Sequence, residues 1–173
     1  MTKVISDLQH EFQRHKQLAD RALAQLDDDA FFDAPGPVNP AAVIVKHLAG
    51  NLASRWTDFL KTDGEKPSRD RDSEFVVTDN DSRASLLDSW DRGWRILFET
   101  LSSLRDSDLD KAVAIRGESQ TAHQALLRGL THAAYHVGQI LYLVRWLRPE
   151  GTWLTIPPGQ SQGFPGQYRK VNN

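Results

Sequence analysis

Ile5, Leu8, Phe12, Ala19, Ala22, Leu23 and Leu26 recur at steps of three and four residues, and the same period returns along three further stretches. That spacing puts each set on one face of an α-helix and gives each helix an apolar stripe to bury. The first helix is expected over about residues 3–27. The second begins at Asn39-Pro40, where Asn caps well and Pro lacks only an N–H that the first turn leaves unbonded. It is expected over about 40–60, with Ile44, Leu48, Leu52 and Phe59 as its stripe. The third, about 79–104, starts within Thr78–Ser82 and carries Leu86, Leu87, Trp90, Trp94, Leu97, Leu101 and Leu104. The fourth, about 121–147, is stopped by Pro149.

Four such helices in a chain of 173 residues imply an all-α four-helix bundle forming a single domain over 1–173. The linkers are unequal. Those between the second and third and between the third and fourth helices are long enough for crossover connections, and loops of that length often carry function. KTDGEKPSRDRD (61–72) is rich in turn formers, and KAVAIR (111–116) reads as a short strand within a polar, irregular segment. The tail, 152–173, is rich in Gly, Pro and Gln and is expected to be extended.

Composition narrows the function classes. A net charge of −2, with basic and acidic residues interleaved as in RDRDSE (69–74), gives no electrostatic footprint for nucleic acid. No apolar run approaches the roughly 20 residues of a membrane span. The first residues, MTKVISDLQHEF, lack the apolar core of a signal peptide. A cytoplasmic location is therefore the expectation. The chain has no cysteine, which removes disulfides, thiolate ligands and a cysteine nucleophile together. Any thiol chemistry must bring its thiol with a substrate.

The fourth helix contains HAAYHVGQI (132–140). His132 and His136 stand four residues apart, about 6 Å along the helix axis, and can share one divalent ion. They border the arc of Leu126, Leu130, Val137, Ile140, Leu141 and Val144. The residues between them are Ala133, Ala134 and Tyr135, so the helix-borne glutamate of a metalloprotease is missing. The pair taken alone also fits two packed or exposed histidines. A third ligand should come from another helix, and His47 lies between the apolar rows of Ile44 and Leu48. Asn51, Arg55 and Asp58 follow it on the same face, a row that reads equally as a solvated face or a subunit contact. His15 falls on the first stripe as a packed or boundary residue, His10 lies off it and is expected to be exposed, and His123 points away from His132.

HLAGNLASRWTDFL (47–60), TDGEKPSRDRDSEF (62–75), HAAYHVGQILYLVRW (132–146) and WLTIPPGQSQG (153–163) together resemble the DinB/YfiT-like superfamily. More narrowly, they resemble a bacterial branch of it described as a family of unknown function. The resemblance spans nearly the whole chain. It implies a four-helix bundle with a long crossover, frequent homodimers, and metal ligands falling on His47, His132 and His136, all present here.

Three neutral imidazoles with an open position describe a catalytic rather than a closed metal site. Zinc is the first guess for nitrogen donors, and nickel, iron or copper fit the same set, since affinity alone does not choose among them. Such an ion lowers the pKa of bound water or ionises a thiol. The resemblance implies the second chemistry, a metal-dependent S-transferase acting with a low-molecular-weight thiol. A metal-dependent hydrolase and a non-catalytic metal-binding dimer are the alternatives. Asn51, Asp58, Glu74 and Gln139 are candidates to orient the histidines, and Arg55, Arg69 and Arg71 to receive a carboxylate. The 69–74 charge run also reads as self-paired. Residues 153–162 are expected to cover the site, to meet a partner subunit, or simply to pack on the bundle. Five Trp and the polar row on the second helix add to the expectation of a homodimer binding a small-molecule substrate.

Overall fold

The computed structural model describes residues 3–163. The helices are α1 (Lys3–Leu23), α2 (Asp28–Phe32), α3 (Ala41–Trp56), α4 (Arg83–Ser103) and α5 (Ala122–Leu147). α1 stops short of the expected residue 27 because Asp27, Asp28 and Asp29 would place negative charge at a helix C-terminus. Asp27 instead caps α2, its side chain accepting from Ala30 N at 2.9 Å. Pro40, not Asn39, holds the cap position of α3, and no side chain bonds there. α4 and α5 open with reciprocal boxes, Ser82 with Ser85 and Thr121 with Gln124.

The helices run up, down, down, up. Trp90 Nε1 donates to Asp20 Oδ1 at 2.9 Å and Arg83 Nη2 to Leu23 O at 3.3 Å, so α1 and α4 are antiparallel. α3 and α4 are parallel, with Lys46 paired to Asp81 at 2.8 Å near their starts and Thr100 Oγ1 donating to Trp56 O at 2.9 Å near their ends. α1 and α5 are parallel too, their C-terminal ends joined where Gln25 Nε2 donates to Thr152 O at 3.3 Å. Parallel neighbours oblige the connecting chain to travel back along the bundle. Residues 57–82 are that crossover.

The core is continuous between the stripes. Ile5, Phe12, Leu48, Leu97, Leu101, Leu126 and Ile140 are sealed from solvent, and Trp56, Trp90 and Trp94 form an aromatic cluster with Phe12. Phe12 meets Trp56 edge-on at 6.2 Å, and Trp90 meets Trp94 at 5.4 Å. Each such pair adds about 0.5–1.5 kcal/mol beyond its buried area. Three of the tryptophans offered as support for a homodimer are therefore core residues of one chain. Gly129 allows α3 and α5 to approach, since a Cβ there would lie 2.5 Å from Trp56 Cζ2.

The short strand expected at 111–116 is β1 (Ala112–Ile115), paired antiparallel with β2 (Glu118–Thr121). The turn between them is Arg116-Gly117, with φ of 56° and 75°. Positive φ at both positions is the hairpin geometry that matches the twist of the strands. Asp63 pins it to the crossover by accepting from Arg116 N at 2.8 Å and Gly117 N at 2.7 Å. Among the described residues no helix is long and apolar enough to cross a membrane.

Candidate metal centre

α3 and α5 cross antiparallel, and the crossing sets like against like. His47 of α3 faces His132 and His136 of α5, and Trp56 lies over Gly129 further along. One nitrogen from each of the three histidines lies within 4.8 Å of the other two. His47 is buried, while His132 and His136 are half-buried. His47 Nε2 and His132 Nε2 are 3.4 Å apart. Two nitrogens bound to one tetrahedral ion at about 2.0–2.1 Å stand ~3.3 Å apart. The observed pair already has that spacing.

The outward nitrogens are held. His47 Nδ1 donates to Glu74 Oε2 at 2.8 Å, and Arg69 clasps the same carboxylate through Nε at 2.7 Å and Nη2 at 2.8 Å. His136 Nδ1 donates to Gln139 Oε1 at 2.8 Å, one turn along its own helix. Bonding at Nδ1 fixes each ring and leaves Nε2 as the lone-pair donor, the arrangement common behind metal-ligating histidines. Glu74 can reach His47 because residue 50 is glycine: a Cβ there would sit 2.2 Å from Glu74 Oε1. Phe75 covers the other side of His47, with ring centroids 4.8 Å apart.

Electrostatics keep the site ready for a cation. Burial, with His136 and His47 nearby and smaller effects from Arg55 and Arg69, pulls the His132 imidazolium down to about 3. Burial pulls His136 down to about 4, with the Gln139 bond opposing and His47 adding to it. Both rings are neutral at neutral pH. Burial alone would raise the Glu74 carboxyl, but the hydrogen bonds and charges of His47 and Arg69 hold it below the usual carboxylate range. A neutral nitrogen set backed by a carboxylate fits a divalent transition-metal ion.

The cluster opens on a cavity of about 570 Å³, the size of a small-molecule site. Asn51 and Arg55, both buried, line it from α3, and Tyr135, Thr131 and Arg128 from α5. Glu65, Arg69, Arg71 and Phe75 of the crossover and Ile115 and Arg116 of the hairpin complete it. Arg69 is not left for a ligand's carboxylate, since it bonds Glu74 and Glu65, and Arg71 lies 4.9 Å over the Phe75 ring.

Several expected residues lie elsewhere. Asp58 is not on the His47 face. α3 ends at Trp56, Asp58 adopts φ 50°, and its exposed side chain borders a separate concavity with Phe59 and α4. His15 Nδ1 donates to Glu11 O at 2.7 Å, outside the cluster. His10 is half-buried rather than exposed, and His123 is exposed. The tail segment from Thr152 to Thr155 packs on α1 and α5, with Trp153 stacked 4.4 Å from the Arg145 guanidinium, away from the histidines. Residues 164–173 lie outside the described residues.

Sequence reasoning passed over Glu65, Phe75, Arg116, Arg128 and Tyr135. Arg116 carried no signal of a turn, because Arg-Gly is not among the dipeptides that mark a two-residue hairpin turn.

Fold and site together define a helical-bundle protein with a three-histidine cluster spaced to hold a metal ion. A family model described as "Protein of unknown function (DUF1572)" matches residues 1–160, and the chain belongs to that family. No curated protein matches it.

Proposed function

We propose that this protein is a DinB-like, divalent-metal-dependent enzyme that acts with a low-molecular-weight thiol as an S-transferase. The observation that carries the reading is the trio of Nε2-presenting histidines, with Glu74 and Gln139 bonded behind two of them, at the edge of a substrate-sized cavity. A structural site is closed on all sides, whereas this one faces open space. A divalent cation held there, zinc first and nickel, iron or copper by the same donor set, supplies Lewis acidity that favours a thiolate near neutral pH. His47, His132 and His136 hold the ion, Glu74 and Gln139 aim two of the rings, and Phe75 keeps water from one face of His47.

We also propose a homodimer through the outer face of α5. Tyr142 is 73% exposed and Trp146 62%, on a surface that carries Tyr135 as well. Aromatic residues are enriched where subunits meet.

The test is metal analysis of the purified protein followed by conjugation assays with several small thiols and an electrophilic acceptor. Stoichiometric metal with metal-dependent thiol consumption is the expected result. Metal without any thiol turnover would remove the S-transferase reading and leave the metal-dependent hydrolase and the non-catalytic metal binder.

A further inference from the structure

The cavity has a second end. His47, Asn51 and Arg55 follow one another at four-residue steps along the α3 face that lines it, so Arg55 stands ~12 Å along the axis from His47. On α5, Arg128 stands at the same remove from His136. The cavity lining carries Arg55, Arg69, Arg71, Arg116 and Arg128 against the single carboxylate of Glu65. Glu65 is engaged, by Arg69 Nη1 at 3.1 Å and more loosely by Arg116 Nη2 at 3.5 Å.

Arg55 is the unusual member. It is only 7% exposed, and its Nε is sealed from solvent with no hydrogen-bond partner among the described residues. Among the described residues it makes no ion pair. Burial, then Arg128 and Arg69, pull its guanidinium down to about 10 against the opposing charge of Glu65, which leaves it charged at neutral pH. Buried guanidinium groups are normally paired, because the charge has lost its water. Arg116 gives a second, independent sign. It occupies a turn position with φ 56°, where Asn, Asp or Gly fits without strain. The turn thus carries a cation at the rim of this cavity at a position that does not favour a long side chain.

We propose that Arg55, with Arg116 and Arg128 beside it, is an oxyanion subsite that receives the carboxylate or phosphate of a small substrate whose reacting group lies at the histidine cluster. This rests on the reading of the cavity as an active site and adds the substrate's chemistry: a bifunctional molecule with its anionic group about 12 Å or less from its reacting group. A guanidinium offers either oxyanion two parallel N–H donors. Bound there, the anion supplies at close range the counter-charge that Arg55 otherwise has only at a distance, from Glu65.

Isothermal titration calorimetry of the full chain with inorganic phosphate and, separately, malate tests this. One of the two should bind, and the tighter one names the source of the oxyanion. Arg55→Met should weaken that binding by about tenfold or more. Stripping any bound metal with a chelator should leave it within about twofold, so loss of the metal reading and loss of the subsite are told apart. Should Arg55→Met fail to fold, Arg116→Asn keeps the turn and should weaken binding by about threefold or more. The subsite is overturned if neither probe binds, if the arginine variants bind as the parent does, or if chelation alone abolishes binding.

Discussion

Glu74 and His47 are joined at 2.8 Å across a gap that exists only because Gly50 has no side chain. The carboxylate comes from the crossover and the imidazole from α3, so the bond ties a loop to a buried helix. It also fixes which nitrogen of His47 faces the cavity. Replacing Glu74 with Gln keeps the shape and removes the charge. Metal affinity should then fall by about 10–100-fold, measured by competition with a chromophoric chelator. Gly50→Ala should produce a similar loss by displacing an unaltered carboxylate. Unchanged affinity in both variants would show that Glu74 does not support the ligand.

His136→Ala should abolish stoichiometric metal binding while leaving the helical circular dichroism largely intact. The fold does not lean on this ring, since the core is carried by residues such as Phe12, Trp94, Leu126 and Ile140. Global unfolding of the variant would show that the metal is structural.

Acid should destabilise the metal-free protein earlier than its carboxylates alone predict. His132 and His136 have folded-state values of about 3 and about 4, below the ordinary 6.5. The unfolded chain therefore binds protons first as pH falls. Their contribution is fully present above about pH 6.5, declines below it, and is lost by about pH 3. Urea midpoints at pH 7.5 and 5.5 should differ more in the parent than in a His132→Gln, His136→Gln double variant. Equal differences would mean that neither ring is held neutral by the fold.

Gly129→Ala should cost about 1–3 kcal/mol in urea unfolding, because its methyl would overlap the Trp56 ring in a packed interior. A neutral result would mean that α3 and α5 can separate without penalty.

Trp146→Glu combined with Tyr142→Glu should convert the expected dimer to a monomer in light scattering. A parent protein that is already monomeric at micromolar concentration would remove the dimer proposal.

The α5 histidines are legible in the sequence because a four-residue step on a helix is a local, rigid relation. His47 is legible because a polar residue between apolar rows must face either the core or its edge. Asp58 misled for the opposite reason: its spacing holds only while the helix continues, and a left-handed residue ends that face. Glu74 is nameable only as a nearby acid, since its bond to His47 depends on how the crossover folds back. β2 escaped notice because Glu118-Ser119-Gln120-Thr121 has no apolar alternation and pairs through its backbone. Arg55 is visible as a cation on α3, but its lack of a partner is a property of three dimensions.

The parallel setting of α3 and α4 has a kinetic and energetic corollary. The crossover that it demands supplies Arg69 and Glu74, and through them the brace on His47. Any local opening that lifts residues 69–75 from α3 breaks that brace without unfolding a helix. By reciprocity, a ligand that prefers the braced His47 must suppress such opening by the same free energy that opening takes from its binding. Amide exchange along 69–75 should therefore slow on metal loading far more than exchange in α1, and the crossover would then serve as the molecule's own gauge of whether the centre is filled.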